Sequence, residues 1–517
     1  MNEQTPPARR RGRRQRRTTN DRPALEQLPW KQLRYVDPPT EPLDEEGLER
    51  VHDGAMRILE EIGIDFLNDE ARAILKTAGC DVDPESSRVR MDRAFVMEQV
   101  DKAPAEFVIT PRNTDRSIRI GGDAAAFGSV ASPPNVTDLD RGRRVGNRSD
   151  FQNLLKLTQV FNCIHFNAGY PVEPVDIHAS VRHLDGLYDL LTLTDKVVHA
   201  YSLGPERVND AMEMVRIAAG LSGDEFEASP RMFTNINSSS PLKHDWPMLD
   251  GAMRMARRGQ PVVVAPFTLA GAMAPVTLAG ALAQQTAECL AAIVLLQIVK
   301  PGVPVVFGAF TSNVDMKSGA PAFGTPEYMR AMQISGQLAR RYGLPWRGSS
   351  ANAANSPDGQ AVWESVFSLW GVTSGHVNMV MHAAGWLEGG LAASFEKFVM
   401  DCELLQQLTY YHQPVGTTED DLAIEAIRDV GPNGNFFDCD HTQERYRDAF
   451  YSPFLSDWRN FESWQEAGLP RSHDHANTLW KRLIAEFEPP EMDPAIREAL
   501  EAFVIKRKEE GGAPTDF

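Results

Sequence analysis

The chain has 517 residues, of which 42% are hydrophobic and 24% charged, so it is neither a disordered polypeptide nor too small to bury a large core. The net charge of −18 is unevenly placed, because residues 1–22 hold eight arginines against Glu3 and Asp21 and carry +6. The rest of the chain, at −24, would repel phosphates, which argues against specific nucleic-acid binding. The five cysteines are scattered and include no CxxC pair, so neither a disulfide framework nor a zinc site is predicted. This use of cysteine predicts that the protein is located in the reducing cytoplasm.

Residues 1–40 are polar and rich in arginine and proline, and they are predicted to form a disordered basic tail. An arginine cluster at 9–17 suggests a twin-arginine export signal, but that signal requires an apolar stretch directly afterwards. Residues 18–23 are polar, so export is rejected. We expect residues 1–35 to be dispensable, and a chain that begins at Asp37 to fold.

Residues 41–120 are predicted to form an amino-terminal helical cap. Asp44 is placed to cap a helix whose apolar residues recur at helical spacing from Leu48 to Ile62. The other predicted elements of this cap are helices near 69–78 and 92–102 and an extended pair within 105–120.

Between residues 121 and 411 one pattern occurs eight times: an apolar run, a loop and an amphipathic helix. Alternating strands and helices indicate a parallel sheet, and eight such units predict an α/β fold of the (β/α)8, or TIM, barrel type. A doubly wound open sheet is the alternative, although no GxGxxG follows the first run. The runs are 124–131, 162–168, 197–202, 231–237, 261–267, 303–310, 344–349 and 377–384, and the helices lie near 149–160, 178–193, 206–220, 246–258, 277–299, 326–342, 359–374 and 394–411.

One stretch, residues 259–287, has no charged side chain and is similar in composition to a membrane span. Pro261, Pro266 and Pro275 interrupt it, and a single spanning helix would have to accommodate all three. It is interpreted as a buried strand, a loop and a buried helix, so no membrane association is expected. Residues 412–517 are predicted to form a mixed, mainly helical extension.

The residues at the ends of the eight runs and just beyond them are candidate site residues, because barrel enzymes carry their chemistry at the carboxyl ends of the strands. They are rich in aromatic rings and in neutral hydrogen-bonding groups. Ring faces attract cations, and quaternary ammonium groups are the common ligands of aromatic cages, although any single ring at a strand end can simply pack under a loop. The predicted binding residues are Tyr170, Tyr201, Phe267, Phe310, Trp346, Trp386, Arg347, Asn235, Asn237, Asn313 and Asn352.

Two other chemistries are poorly supported by the sequence. His382 lies near the end of the eighth run without a nearby His or Cys, and the cluster 438–441 is interpreted as a tight turn, so no metal site is predicted. No GxSxG motif marks a serine nucleophile.

Four segments resemble the trimethylamine methyltransferase family, whose members transfer a methyl group from a methylamine to a corrinoid protein. These segments are 271–308 (beginning GAMAPVTLAGALAQQTAECL), 315–327 (DMKSGAPAFGTPE), 383–403 (AAGWLEGGLAASFEKFVMDCE) and 431–446 (GPNGNFFDCDHTQERY). The resemblance spans roughly residues 41–490. It implies a TIM barrel, no tightly bound cofactor, and a partner protein that presents the corrinoid (cobalamin).

Trimethylamine-specific members carry pyrrolysine at a position that aligns with loop 349–358, where this chain has only standard residues. The chain therefore resembles more closely the branch without pyrrolysine, whose substrates include glycine betaine and related quaternary amines. A quaternary nitrogen departs as a neutral amine, so the protein needs only to hold the cation, orient one methyl and exclude water. Arg347 or His382 is predicted to bind a substrate carboxylate, with a structural ion pair and a core histidine as the alternatives.

Asp315, Glu388 and His382 are predicted to serve catalysis, since each lies just beyond a strand. Three other functions stay open at this point: a barrel that binds a quaternary amine without turnover, a trimethylamine-type enzyme with another methylamine substrate, and a metal-dependent lyase. The sequence also leaves self-association open.

Overall fold

The computed structural model describes residues 25–515, and its residues 41–120 contain the predicted helices together with three short strands that were not predicted. Asp44 accepts a hydrogen bond from the Gly47 backbone N–H and so caps the first long helix, as predicted. The elements up to residue 121 are β1 (Leu33–Arg34), α1 (Glu45–Arg57), β2 (Ile64–Phe66), α2 (Asp69–Thr77), β3 (Asp81–Val82), β4 (Arg88–Arg90), α3 (Arg93–Val100), β5 (Glu106–Ile109) and β6 (Ile118–Gly121).

The central part alternates strands and helices at nearly the predicted positions. All eight predicted helices are present, because their apolar residues recur at the helical period and face the sheet. The elements are β7 (Ala124–Ser129), β8 (Asn135–Thr137), β9 (Arg144–Val145), α4 (Arg148–Val160), α5 (Arg182–Leu193), α6 (Pro205–Ala218), α7 (Gly223–Glu227), β10 (Thr234–Ile236), β11 (Lys243–His244), α8 (Trp246–Arg257), β12 (Val262–Val264), β13 (Leu269–Ala270), α9 (Leu278–Val299), β14 (Val305–Gly308), β15 (Ser312–Val314), β16 (Pro321–Ala322), α10 (Pro326–Arg341), β17 (Trp346–Ser349), α11 (Gly359–Ser374), β18 (Met379–Ala384), β19 (Trp386–Leu387), β20 (Ala392–Ser394) and α12 (Phe395–Tyr411).

Six of the eight predicted strands form one curled parallel sheet, in the order β10-β12-β14-β17-β18-β7. The second and third predicted strands are not regular. They are represented by single parallel bridges that join Gly128 to Phe166, Phe166 to Val197, and His199 to Phe233. The concave side of the sheet is filled by apolar side chains that include Phe166, Phe233 and Val263.

Polar side chains of the second run add hydrogen bonds to those of its backbone. The Nδ1 atom of His165 accepts a hydrogen bond from the Phe127 backbone N–H at 3.0 Å. The Asn167 side-chain amide donates to the Thr194 hydroxyl at 2.9 Å and reaches the Val197 carbonyl at 3.4 Å. The backbone still joins this run to its neighbours, since the Asn167 N–H donates to the Val197 carbonyl at 2.8 Å and the His165 N–H donates to the Phe127 carbonyl at 2.7 Å.

The apolar stretch that is similar to a membrane span divides into β12, β13 and the long helix α9, as predicted. Helix α9 is apolar and long enough to cross a membrane, but 89% of its most apolar window is buried inside the protein. It packs against α1, α3 and α8. It is therefore a core helix of this fold.

The carboxyl-terminal part is mainly helical. Helix α17 packs along α12, and α18 packs on α5 and α6. These helices agree with the mainly helical extension that the sequence predicts for residues 412–517. The elements are α13 (Glu419–Leu422), α14 (Ile424–Val430), α15 (Asp440–Arg445), α16 (Phe461–Glu466), α17 (Ser472–Ala485) and α18 (Pro494–Glu509).

The predicted disordered tail needs a correction. Residues 1–24 lie outside the described residues, but residues 25–40 form an ordered strap at the amino-terminal end of the sheet. Leu33 is buried and pairs with Ala125 through β1 and β7. The Tyr35 hydroxyl donates to the Val377 carbonyl at 2.8 Å. The prediction overlooked these apolar residues because they are few and lie within a polar, proline-rich segment.

We predict that the strap contributes to stability. Leu33→Ala should lower the free energy of unfolding by about 2–4 kcal/mol, because it empties a fully packed position. Tyr35→Phe should cost about 1 kcal/mol, since it leaves the Val377 carbonyl without that donor. Val36→Ala is the matched control, because Val36 is 48% exposed. Thermal unfolding of the full chain measures all three, and equal midpoints for Leu33→Ala and Val36→Ala would contradict the prediction.

Candidate active site

A cavity of about 260 Å3 lies at the carboxyl ends of the parallel strands. This is the end of the sheet where the sequence predicts the site. Within the described part of the chain, no aspartate or glutamate lines it. The lining residues are Ala131, Ser132, Ala168, His199, Tyr201, Ser202, Leu203, Asn235, Asn237, Met248, Phe310, Arg347, Met381 and His382.

Arg347 is the charged group of this cavity. Its side chain extends from β17, is only 2% exposed, and donates from Nη1 to the Ala309 carbonyl at 3.1 Å. Its Nε has no hydrogen-bond partner, and among residues 25–515 no carboxylate lies within 4 Å of the guanidinium. Burial lowers the pKa of Arg347 to about 10, so it remains protonated at neutral pH. A buried cation without an anion is costly, and here it faces an open cavity.

Two histidines flank the guanidinium, and both are neutral at physiological pH. Burial and, to a smaller extent, the charge of Arg347 together lower the pKa of His199 to about 3. The same two causes hold the pKa of His382 well below its usual range. The Nε2 atom of His199 accepts from the Asn235 backbone N–H at 3.1 Å, so the ring proton sits on Nδ1, which has no partner. The net charge of the cavity lining is therefore that of Arg347.

A change of register explains how His382 reaches the cavity. The pairing of β18 with β7 shifts between Val380 and Ala384, as in a β-bulge. His382 within this bulge has a φ of 59°, a left-handed conformation that a non-glycine residue adopts only when its surroundings impose it. Its Nδ1 has no partner, and its ring lies 4.2 Å from that of Trp386.

Aromatic rings form one wall of the cavity. Phe310 lies below the Arg347 guanidinium, with 5.2 Å between the guanidinium carbon and the ring centre. Its ring centre is 5.0 Å from that of Phe267 and 6.4 Å from that of Trp386. Tyr201 lies at another side, 4.8 Å from the His199 ring. Four of the six predicted cage residues therefore line or adjoin this cavity.

A second cavity of about 320 Å3 adjoins the first and shares Ser132, His199, Tyr201 and Leu203 with it. Tyr170, the fifth predicted ring, lines this second cavity and lies 4.9 Å from Tyr201. The Tyr201 hydroxyl is 2.8 Å from the Ser132 hydroxyl and accepts from the Tyr170 backbone N–H. These hydrogen bonds hold the Tyr201 side chain between the two cavities.

Trp346, the sixth predicted ring, does not reach the cavity. It is 1% exposed, and its indole N–H donates to the His376 carbonyl at 2.8 Å. The ring lies against Gly336 of α10 and Gly375, which is the helix side of the sheet. Since neighbouring residues of a strand face opposite sides, Arg347 on the cavity side requires Trp346 on the other.

The two predicted catalytic carboxylates also lie away from the cavity lining. Asp315 is exposed at the end of β15, where it accepts hydrogen bonds from Ser318 and from the Lys317 backbone in the turn to β16. Glu388 forms an ion pair with Arg143 at 2.9 Å and joins two loops. Both are explained by turn and loop structure, which also follows strand ends, so their geometry does not favour a catalytic role.

Of the four predicted asparagines, two line the cavity and two do not. Asn235 and Asn237 line the cavity, two residues apart on the same face of the chain, and the Asn235 amide donates to the Asn237 side-chain oxygen at 3.0 Å. Asn313 instead accepts from the Thr325 hydroxyl, and Asn352 packs against Ser365 of α11. These last two support loops.

The sequence analysis missed His199, which lies in the third run two residues before the predicted Tyr201. It also missed Met248 and Met381, whose flexible thioether side chains complete the apolar lining. A signal for His199 was present, because a histidine inside an apolar strand needs a polar neighbour. In the described residues 25–515, no group of three or more His, Cys, Asp or Glu side chains is placed to hold a metal ion.

A family model for trimethylamine methyltransferase (MTTB) matches residues 9–512 of this chain. The chain is 37% identical over 471 residues to a glycine betaine methyltransferase of Desulfitobacterium hafniense strain Y51, covering 91% of this chain and 98% of that protein. It is 27% identical to the trimethylamine methyltransferase MttB of D. hafniense strain DSM 10664 / DCB-2, covering 90% and 94%. It is 28% identical to a proline betaine:corrinoid methyltransferase of Eubacterium limosum, covering 78% and 84%.

The unpaired charge of Arg347 predicts an unusual effect on stability. Arg347→Met should raise the free energy of unfolding of the ligand-free protein by about 1–4 kcal/mol, because it removes a buried cation and keeps the volume. Arg144→Met is the contrasting control. It should destabilise the protein by about 2–4 kcal/mol, since Arg144 pairs with the buried carboxylates of Asp138 and Asp150. Thermal unfolding without ligand measures both, and a clear loss of stability in Arg347→Met would show that Arg347 has a structural role.

Proposed function

The chain belongs to the trimethylamine methyltransferase family and is a methyltransferase, and we propose that it moves a methyl group from glycine betaine, or a similar betaine, to the cobalt of a partner corrinoid protein. The relative with 37% identity is named for glycine betaine, and a second relative is named for proline betaine. Both of these substrates join a quaternary ammonium to a carboxylate. The chemistry of the cavity supports the same class.

The buried Arg347 is the observation that carries this proposal. A betaine carboxylate would supply the anion that the guanidinium lacks, through the strong hydrogen bonds of a charged pair. The rings of Phe310 and Tyr201 would receive the quaternary ammonium, each contributing about 0.5–2 kcal/mol. A betaine carries one negative and one positive charge. Its carboxylate can pair with Arg347, and its ammonium then needs no carboxylate from the cavity, because the molecule as a whole is neutral.

The same charge argues against a simple methylamine as substrate. Trimethylammonium and tetramethylammonium are cations without a carboxylate, and Arg347 would repel them in a poorly solvated space. A protonated tertiary amine would also bring an N–H that needs an acceptor, and an aromatic wall is a weak one. Arg347 therefore acts both as an attraction for betaines and as a barrier to other methylamines.

Methyl transfer from a quaternary amine requires no general acid or base from the protein. The nitrogen loses its positive charge as the methyl group departs, so the product amine leaves as a neutral molecule and no proton has to be supplied. Arg347 fixes the carboxylate end, and the rings turn the ammonium end toward the cavity mouth. The neutral states of His199 and His382 suit this task, because a second cation would compete for the carboxylate.

The corrinoid is a second substrate, presented by a partner protein at the mouth, where it supplies the nucleophile. We further propose that the segments around Phe166 and Val197 complete an eight-stranded barrel with the six regular strands, and that Asn235 and Asn237 orient the bound betaine. The enzyme acts in the cytoplasm, where reduced corrinoids are maintained.

The test is methyl transfer from a panel of amines to a reduced corrinoid protein, followed by the change in its absorption spectrum. We expect glycine betaine to be preferred over tetramethylammonium and dimethylglycine. Arg347→Gln should lower kcat/KM for glycine betaine by about 30-fold or more, because it removes the charged partner of the carboxylate. The difference between glycine betaine and tetramethylammonium should shrink in the same variant.

Arg330→Gln is the matched control, since Arg330 is exposed on α10 and should leave the kinetics unchanged. Binding of glycine betaine without methylation of any corrinoid protein would favour the alternative of a non-catalytic binding protein. Equal loss of activity toward glycine betaine and tetramethylammonium in Arg347→Gln would remove the proposed carboxylate contact.

The affinity for glycine betaine should be constant from mildly acidic to mildly alkaline pH. Burial lowers the pKa values of His199 and His382, so both stay neutral across this range, while Arg347, with a pKa of about 10, stays charged. A site in which a histidine cation held the carboxylate would instead lose affinity as the pH rises through the pKa of that histidine. Calorimetric titration across this pH range distinguishes the two cases.

A further inference from the structure

A long arm, residues 413–450, stands out from the body of the protein. No residue of this range is buried, although the arm contains the helices α13, α14 and α15. Large apolar side chains are among the most exposed: Phe437 is 79% and Phe450 84% exposed, and Phe436 and Tyr446 are about half exposed. A segment that folds without a core of its own needs another surface to cover these side chains.

Helix α11 presents a second uncovered apolar surface on the same chain. Val362, Trp363, Phe367 and Trp370 recur at helical spacing on its outer face, and each is between 39% and 58% exposed. Tyr411, at the end of α12, lies against Trp370 and is 55% exposed. A surface helix normally carries polar residues on this face, so the pattern is typical of an interface.

The arm does not cover the α11 face of its own chain, because the rings on both remain exposed. Together the eight exposed rings of the two surfaces offer on the order of 900 Å2 on each chain, taking 150–250 Å2 for a whole aromatic side chain. A stable protein–protein interface buries roughly 800 Å2 on each partner. A two-fold dimer, in which each arm packs on the α11 face of the other copy, uses both surfaces of each chain and reaches this size, whereas a single arm-to-face contact would use about half of it.

We propose that the arm of one copy of this chain packs on the α11 face of a second copy. Both halves of the contact are apolar and are present in every copy, so self-association satisfies them together. The position of the arm agrees with this, since it leaves the body beside His412, which contacts Tyr35 at the amino-terminal end of the sheet. A protein that docks at the cavity mouth would approach the opposite end.

Light scattering coupled to size-exclusion chromatography tests this proposal on the full chain. The wild type should have a mass above that of one chain at micromolar concentration. The arm variant Phe437→Ser/Phe450→Ser and the face variant Trp363→Ser/Phe367→Ser should each raise the dissociation constant by about 30-fold or more, as expected for central interface residues. Because each chain carries −18, added salt should strengthen the association.

Mixing the two variants gives the sharpest result. A mixture contains a native arm on one variant and a native α11 face on the other, so two-chain species should reappear that neither variant forms alone. Ile62→Ser/Ile505→Ser is the matched control, because both isoleucines are exposed elsewhere, and it should keep the wild-type mass. Thermal unfolding checks that all variants remain folded.

Three outcomes would overturn the proposal: a wild type with the mass of a single chain, variants with the wild-type mass, or a mixture that stays dissociated. None of these measurements depends on methyl transfer. Failure of the assembly is therefore distinguishable from failure of the proposed reaction.

Discussion

A single uncompensated charge, that of Arg347, determines how the rest of the site must be built. A guanidinium buried to 2% exposure without a carboxylate partner requires every nearby group to be neutral or to offer an acceptor. The structure meets that requirement with the Ala309 carbonyl, the face of Phe310 and two neutral histidines. The cation is tolerated because it lies at an open cavity and not in the closed core.

In the reaction proposed above, this arrangement would link recognition to reactivity without any acid or base. A ligand that neutralises Arg347 is held at one end, and its other end is left among rings that stabilise a cation but form no strong directional bond. The methyl groups of a quaternary ammonium can then turn until one points to the mouth. Loss of charge at nitrogen during transfer weakens the contact with the rings, which favours release of the product amine.

The elements of the fold could be predicted from the sequence far better than the direction of its side chains. Helices such as α10 and α12 were found because their apolar residues recur at the helical period, and Asp44 was recognised as a cap from its position alone. Trp346 and Arg347 were both assigned to the site, although neighbours on a strand face opposite sides. The sequence contained no information on which of the two faces inward, since both an aromatic ring and a guanidinium are reasonable at either side.

Other differences have equally local causes. Asp315 and Glu388 were chosen because they follow strands, but turns also need carboxylates that accept backbone and arginine N–H groups. His199 was overlooked because its role depends on a backbone N–H and a guanidinium from distant parts of the chain. Such contacts join residues that only the folded structure brings together.

The ordered strap has a practical consequence for handling the protein. It crosses the amino-terminal end of the sheet, where the Gln27 side chain donates to the Val160 carbonyl and the Leu28 carbonyl accepts from Asn162. A purification tag or a surface linker attached ahead of Leu25 would therefore start from the side of the molecule away from the cavity. Immobilisation of a chain that begins at Leu25 through that end would leave the mouth facing the solution, which suits assays that need a large protein to approach it.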